Sequence, residues 1–206
     1  MSLQTLDAAT SALVALATAI ALGDEALVEQ HCRTCMAEGA PETWVDELLL
    51  QSTLMVGWPR ALIAAAICRR VAGPPHSLED GADYGRLPEW QQRGEAVCRI
   101  IYGGNYQRLR ANIQELHPAL DAWMVTEGYG RTLGRPGLDL ARRELTISAQ
   151  VAVQGAERQL HSHLRGALHA GVMPEALDSA LAIVRPLLDS RARSVLDSVR
   201  ERVGAS

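Results

Sequence analysis

Residues 155–181 read GAERQLHSHLRGALHAGVMPEALDSAL, and they follow the pattern of residues 23–49, GDEALVEQHCRTCMAEGAPETWVDELL, without a gap. Gly23 matches Gly155, His31 matches His163, Gly39 matches Gly171 and Asp46 matches Asp178, each pair 132 residues apart. The matched glycines stand where apolar runs of helical spacing stop, as helix C-termini require. A gapless repeat of this length predicts two copies of one helical unit, each an antiparallel helix pair flanked by further helices.

The rest of the chain extends that reading. Apolar residues recur at three- and four-residue spacing, and no stretch sustains the alternation of a strand. Pro41, Pro59, Pro88, Pro118 and Pro174 each precede a helix-like run, the place where a missing N–H is harmless. Asp139 closes the short loop GRPGLD (134–139) and is placed to cap the next helix, while GPPHSLEDGADYGRLP (73–88) reads as a longer polar loop. The expected organisation is all-α: a first repeat over 1–75, a linking helical segment over 76–133 and a second repeat over 134–206.

Composition excludes several functions. The chain has 206 residues and a formal net charge of −4, without a basic stripe, so it lacks the electrostatic footprint of a nucleic-acid binder. All 20 basic residues are arginine, so Schiff-base chemistry and a Walker-type phosphate loop are both excluded. The apolar run near the N-terminus lacks a basic flank and is too short to span a bilayer; it is expected to be an amphipathic or buried helix of a cytoplasmic protein. Cys32, Cys35, Cys68 and Cys98 are expected to be reduced.

Three of the six histidines, His161, His163 and His169, crowd into ERQLHSHLRGALHAG (157–171). On a helix His161 and His163 point about 200° apart, and His161 and His169 are separated by roughly 12 Å along the axis. They do not make one metal site, and none is expected. A single histidine needs only a carboxylate to orient it for proton transfer. Glu144, on the apolar-rich run ARRELTISAQVAVQG (141–155), is available to His163; the competing structural reading is a satisfied core histidine beside an exposed glutamate.

RPGLDLARREL (135–145) followed by QLHSHLRGALHAGVMPEAL (159–177) resembles the carboxymuconolactone decarboxylase family, within the alkylhydroperoxidase D-like superfamily. HPALDAWMVTEGYGRTLGRPGLD (117–139) is similar to the run before that motif, and VGWPRAL (56–62) to the family's glycine–aromatic–proline turn. The resemblance implies an alkylhydroperoxidase D-like fold of two divergent repeats and a site at the motif histidine. It also implies a homo-oligomer, a trimer for a two-repeat chain.

The hydroperoxidase motif is Glu-x11-Cys-x2-Cys-x3-His. Laid on the second repeat it puts Glu144 and His163 in place, but Ala156 and Gln159 at the cysteine positions. In the first repeat His31 holds the histidine position and Ala12 that of the glutamate. Cys32 and Cys35 lie after the histidine, at positions that match Leu164 and Ala167, and are expected to be buried packing residues.

The resemblance therefore favours a cofactor-free acid–base enzyme, of decarboxylase/lyase or isomerase type, acting on a small organic acid or lactone. His163 would be catalytic with Glu144, and Arg165, Gln159 and Arg135 would bind substrate. Gln159 stands where the decarboxylase branch often has a glutamate, a departure from that branch. The competing functions are a thiol peroxidase or disulfide reductase using Cys32 and Cys35, and a non-catalytic ligand-binding oligomer.

Overall fold

The computed structural model describes residues 3–76 and 79–204. Part of the 73–88 loop, Ser77 and Leu78, lies outside the described residues, as do Met1 and Ser2 at the start of the N-terminal run. The first repeat contains α1 (Ala8–Leu22), α2 (Glu25–Ala37) and α3 (Glu42–Ala72). The segment that follows holds α4 (Leu87–Tyr102), α5 (Tyr106–Leu116), α6 (Pro118–Trp123) and a π-helix (Met124–Leu133) continuous with α6. The second repeat contains α7 (Leu140–Gln154), α8 (Glu157–His169), α9 (Pro174–Val184) and α10 (Ser190–Gly204). The fold is all-α; the one extended contact among the described residues is an isolated bridge of Leu3 with Val172.

The 132-residue offset holds element by element. Both bounds of α7 are those of α1 moved by 132, and the same is true of α8 and α2. The local causes repeat too. Asp7 accepts from the Thr10 N–H at one helix start and Asp139 from the Arg142 N–H at the other. Gly23 and Gly155 end the helices at φ 74° and 62°, in the left-handed region where a Cβ is disfavoured.

The repeats part company at the third helix. In the first, the chain bends at Gly57 (φ 78°, ψ 162°) ahead of Pro59 and runs on as residues 58–72. In the second, α9 stops, a short 3₁₀ turn (Arg185–Leu187) follows, and Asp189 starts α10 by accepting from the Ala192 N–H. The bend also decides what α3 is. By length and composition it is long and apolar enough to cross a membrane. Its straight halves, residues 42–56 and 58–72, each reach only about 22 Å, short of the roughly 30 Å hydrocarbon layer, and the first half buries Asp46 and Glu47.

Helix α1 is the centre of the core, with Leu13, Val14, Leu16, Ala17 and Ala19 at zero exposure. Burying each leucine is worth about 1.5–3 kcal/mol. It packs on α2, α3, α7 and α9, and Arg142 ties the two repeats at its start. The Arg142 guanidinium reaches Asp7, Asp139 and the Thr10 hydroxyl, and lies 4.2 Å over the Trp44 ring.

The segment expected to link the repeats is part of the packing. Helix α4 lies against the π-helix with backbones in direct contact. A Cβ on Gly94 would stand 1.9 Å from the Val125 carbonyl oxygen, and one on Gly130 2.0 Å from that of Trp90. Helix α4 also packs across α8, which carries the segment onto the second repeat's histidine helix.

Candidate active site

Glu144 sits in the first turns of α7, and the αL turn at Gly155 brings α8 back alongside it. The two helices thereby face Glu144 toward His163. His163 Nδ1 lies 2.9 Å from Glu144 Oε2, with the carboxylate fully buried and the imidazole side chain 10% exposed. With Glu144 ionised, Nδ1–H donates to Oε2, so Nε2 keeps its lone pair for a proton from outside.

Gly166, one turn after His163, makes room for this contact. A Cβ there would stand 2.6 Å from Glu144 Oε2 and 2.9 Å from the Ile101 side chain. The first repeat has the complementary exchange: Ala12 and Thr34 occupy the positions of Glu144 and Gly166. His31 is there, its pKa lowered by burial, but without a carboxylate at the matching position.

The other site residues expected from the sequence divide. Gln159 is one turn before His163 on the same helical face and is exposed. Arg165 is two residues after His163 and so points to another side. It shares a face with His161, whose pKa is lowered by burial and by the charges of Arg165 and Arg202. Arg135 is not at the site. Its guanidinium is buried against the Glu47 carboxylate at 3.0 Å and donates to the Glu79 carbonyl oxygen. Glu47 also takes Arg143, fully buried, at 2.8 Å, and Arg143 continues to Gln51 and the Leu138 carbonyl. Arg135 therefore belongs to a buried ion-pair network that joins α3 to α7. Its arginine sits in a loop with no helical pattern to show which way it faces, and its partner is 88 residues away.

Sequence reasoning missed the groups the middle segment brings. Tyr102, at the end of α4, and Tyr129, in the π-helix, place their hydroxyls 2.6 Å apart with rings edge to face. Burial pushes both phenols up, and the Glu144 charge adds to this in each case. Burial likewise holds the Cys98 thiol up at about 12, with a smaller push from Glu144. The third histidine of the crowded stretch, His169, hydrogen-bonds the Ile101 carbonyl through Nδ1 and fastens α8 to the end of α4. A helix bearing Ile101 and Tyr102 signals its amphipathic face in the sequence, but not the helix it will cover.

The thiols of the first repeat are fully buried. Burial drives Cys35 up to about 12. A hydrogen bond with Cys68 lowers Cys32 and raises Cys68. Cys32-x-x-Cys35 thus lacks the exposed thiolate beside a resolving thiol that peroxide reduction needs. A cavity of 210 Å³ is lined by Ile20, Val28, Arg60, Ile63 and Ala64 in this repeat and borders neither Glu144 nor His163. Leu196 replaces Ala64 at the corresponding place in the second repeat.

The carboxymuconolactone decarboxylase family model matches residues 1–69 and 118–201, most of the chain, in two segments that fit a two-repeat member. The chain belongs to the carboxymuconolactone decarboxylase family. No curated protein matches it. The family match includes Glu144, Tyr129 and His163 and leaves out 70–117, which carries Cys98, Ile101 and Tyr102.

Proposed function

We propose that the protein is a carboxymuconolactone decarboxylase-like, cofactor-free acid–base enzyme acting on a small organic acid or lactone, of decarboxylase/lyase or isomerase type. The observation that carries this is the buried contact of His163 Nδ1 with Glu144 Oε2 at 2.9 Å. His163 Nε2 takes a proton from carbon beside a carbonyl, and the imidazolium that forms is held by Glu144. Returning that proton to a different carbon isomerises the substrate. Giving a proton to the enolate left by loss of carbon dioxide completes a decarboxylation. Gln159, exposed one turn before His163 on the same face of α8, contacts the substrate. Arg165 is not assigned a part, because it shares the His161 face, and Arg135 is committed to Glu47.

The same reading includes a cytoplasmic homo-oligomer, a trimer of two-repeat chains, with no nucleic-acid or membrane partner. Its support is the set of large apolar side chains exposed along α3, Leu50, Leu54, Trp58 and Leu62, at 43–67% exposure. A monomer in sedimentation equilibrium would remove the oligomer from the proposal.

The activity is tested by incubating the protein in D2O with a panel of small lactones, 3-oxo acids and dienoic acids and following turnover and carbon-bound deuterium by NMR. His163→Gln is expected to lose a factor of about 10²–10⁴. A folded His163→Gln protein with full turnover rules the reading out.

A further inference from the structure

The Glu144 carboxylate has one oxygen explained and one not. Oε2 serves His163, whereas Oε1 is buried and has no hydrogen-bond partner among the described residues. A buried unpaired carboxylate oxygen is costly, and such orphans are rare in native structures. The electrostatic neighbours that Glu144 acquires from the elements across it are Cys98 and Tyr102 of α4 and Tyr129 of the π-helix. From α8 it meets His163, while Arg165 and His161 occupy a different face of that helix.

Two of these neighbours form a pair with a proton to spare. The Tyr102 and Tyr129 hydroxyls are 2.6 Å apart. One donates to the other, which spends one of their two protons and leaves the second for another acceptor. The pair is held in place on both sides. Gly94 and Gly130 lock α4 onto the π-helix, and His169 fastens the Ile101 carbonyl, next to Tyr102, to α8.

We infer that the Tyr102–Tyr129 hydroxyl pair is a positioning element of the Glu144–His163 dyad, donating its spare O–H toward Glu144 Oε1 through one bridging water, while Oε2 holds His163. Tyr102 lies in the stretch 70–117 that the family model does not match, so this chain supplies half of the element from its own segment. The inference rests on the proposed acid–base reading for its functional meaning. Its physical content, a hydrogen bond to one lobe of the carboxylate, is measurable without a substrate.

The sign of the effect follows from charge. Oε1 is most negative when Glu144 is ionised and His163 neutral, and the phenol proton stabilises that state most. Without it the dyad takes up a proton more readily, whichever of the two residues carries it, and its titration moves to higher pH. Glu144→Gln removes the anion and moves the His163 titration to lower pH.

The test is a pH titration of the histidine ring nitrogens by NMR on the full chain, with His163 assigned by its loss in His163→Gln. Tyr102→Phe leaves the Tyr129 hydroxyl unpaired, so the double variant Tyr102→Phe/Tyr129→Phe, which removes both, is measured beside it. The amide spectrum reports that each is folded. An upward shift on the order of one pH unit is expected in the double variant, with Tyr106→Phe unmoved and Glu144→Gln moved down. If Glu144→Gln moves the titration but the tyrosine variants leave it in place or lower it, the inference is overturned and the proposed function stands. If Glu144→Gln also leaves it in place, His163 is not coupled to Glu144 and both fall.

Discussion

Helices α1 and α7 are one element used twice, with the same length, the same aspartate cap and the same glycine stop, yet they do different work. Helix α1 is almost wholly apolar and forms the centre of the core. Helix α7 buries Arg143, Glu144, Thr146, Ser148 and Gln150, and four of these engage partners on other elements or at its own start. The repeat thus separates two kinds of information. Caps and turns keep the backbone the same in both copies. A few exchanged side chains, Ala12 for Glu144 and Thr34 for Gly166, decide which copy can hold a charged dyad.

The largest effect is expected where the first repeat supports the second. Glu47→Ala leaves the Arg143 and Arg135 guanidinium groups buried without their carboxylate and should cost about 3–5 kcal/mol in urea unfolding. Its counterpart Ser179 is exposed and bonds only within its own helix, so Ser179→Ala should stay within about 0.5 kcal/mol. Equal losses at the two positions would break the asymmetry drawn between the copies.

The histidines give the second contrast. On any substrate found, His163→Gln should lose at least a hundredfold in kcat/KM, on the order of general acid–base contributions, while His31→Gln should stay within about twofold of the parent. Comparable losses would place function in both repeats.

Gly166 sharpens the comparison further. Gly166→Thr installs the first repeat's residue against Glu144 Oε2 and should destabilise by about 1–3 kcal/mol. Adding Glu144→Ala completes the exchange to the first repeat's pair and should recover most of that loss, a coupling read from a double-mutant cycle. Additive losses would show that the two sites do not share space.

The smallest effect is at the caps. For Asp7, burial alone would raise the carboxyl pKa, but the Thr10 N–H and hydroxyl and the Arg142 guanidinium outweigh it and hold it below the usual range. A depressed folded pKa means a contribution present above about pH 4, the unfolded value, and lost as pH falls through the folded one. Asp7→Asn should therefore lower stability by less than about 1 kcal/mol near neutral pH and flatten the acid side of the stability curve. An unchanged acid limb would remove Asp7 from the acid response.

Much of this was open to reading in one dimension. The cap at Asp139, the helix starts at Pro88, Pro118 and Pro174 and the opposed directions of His161 and His163 depend on residues within a turn or so of one another, and the 132-residue offset appears when the chain is aligned with itself. Glu144 and His163 were paired through the family motif, and the structure brings them to 2.9 Å. Arg135, by contrast, is expected from the resemblance to bind substrate, and it is committed to Glu47 instead. Arg165 lies two residues after His163 and so on another side of α8.

The sequence by itself determined a two-copy helical chain with a single candidate dyad, because caps, glycine stops and helical spacing act over a few residues and leave their mark in adjacent letters. Only the tertiary structure decided that the middle segment lies over that dyad, that Arg135 answers to Glu47, and that Gly166 is small to admit Glu144. Those contacts join residues from 22 to 88 positions apart, and they are set by the close fit of one helix on another, which no local pattern records.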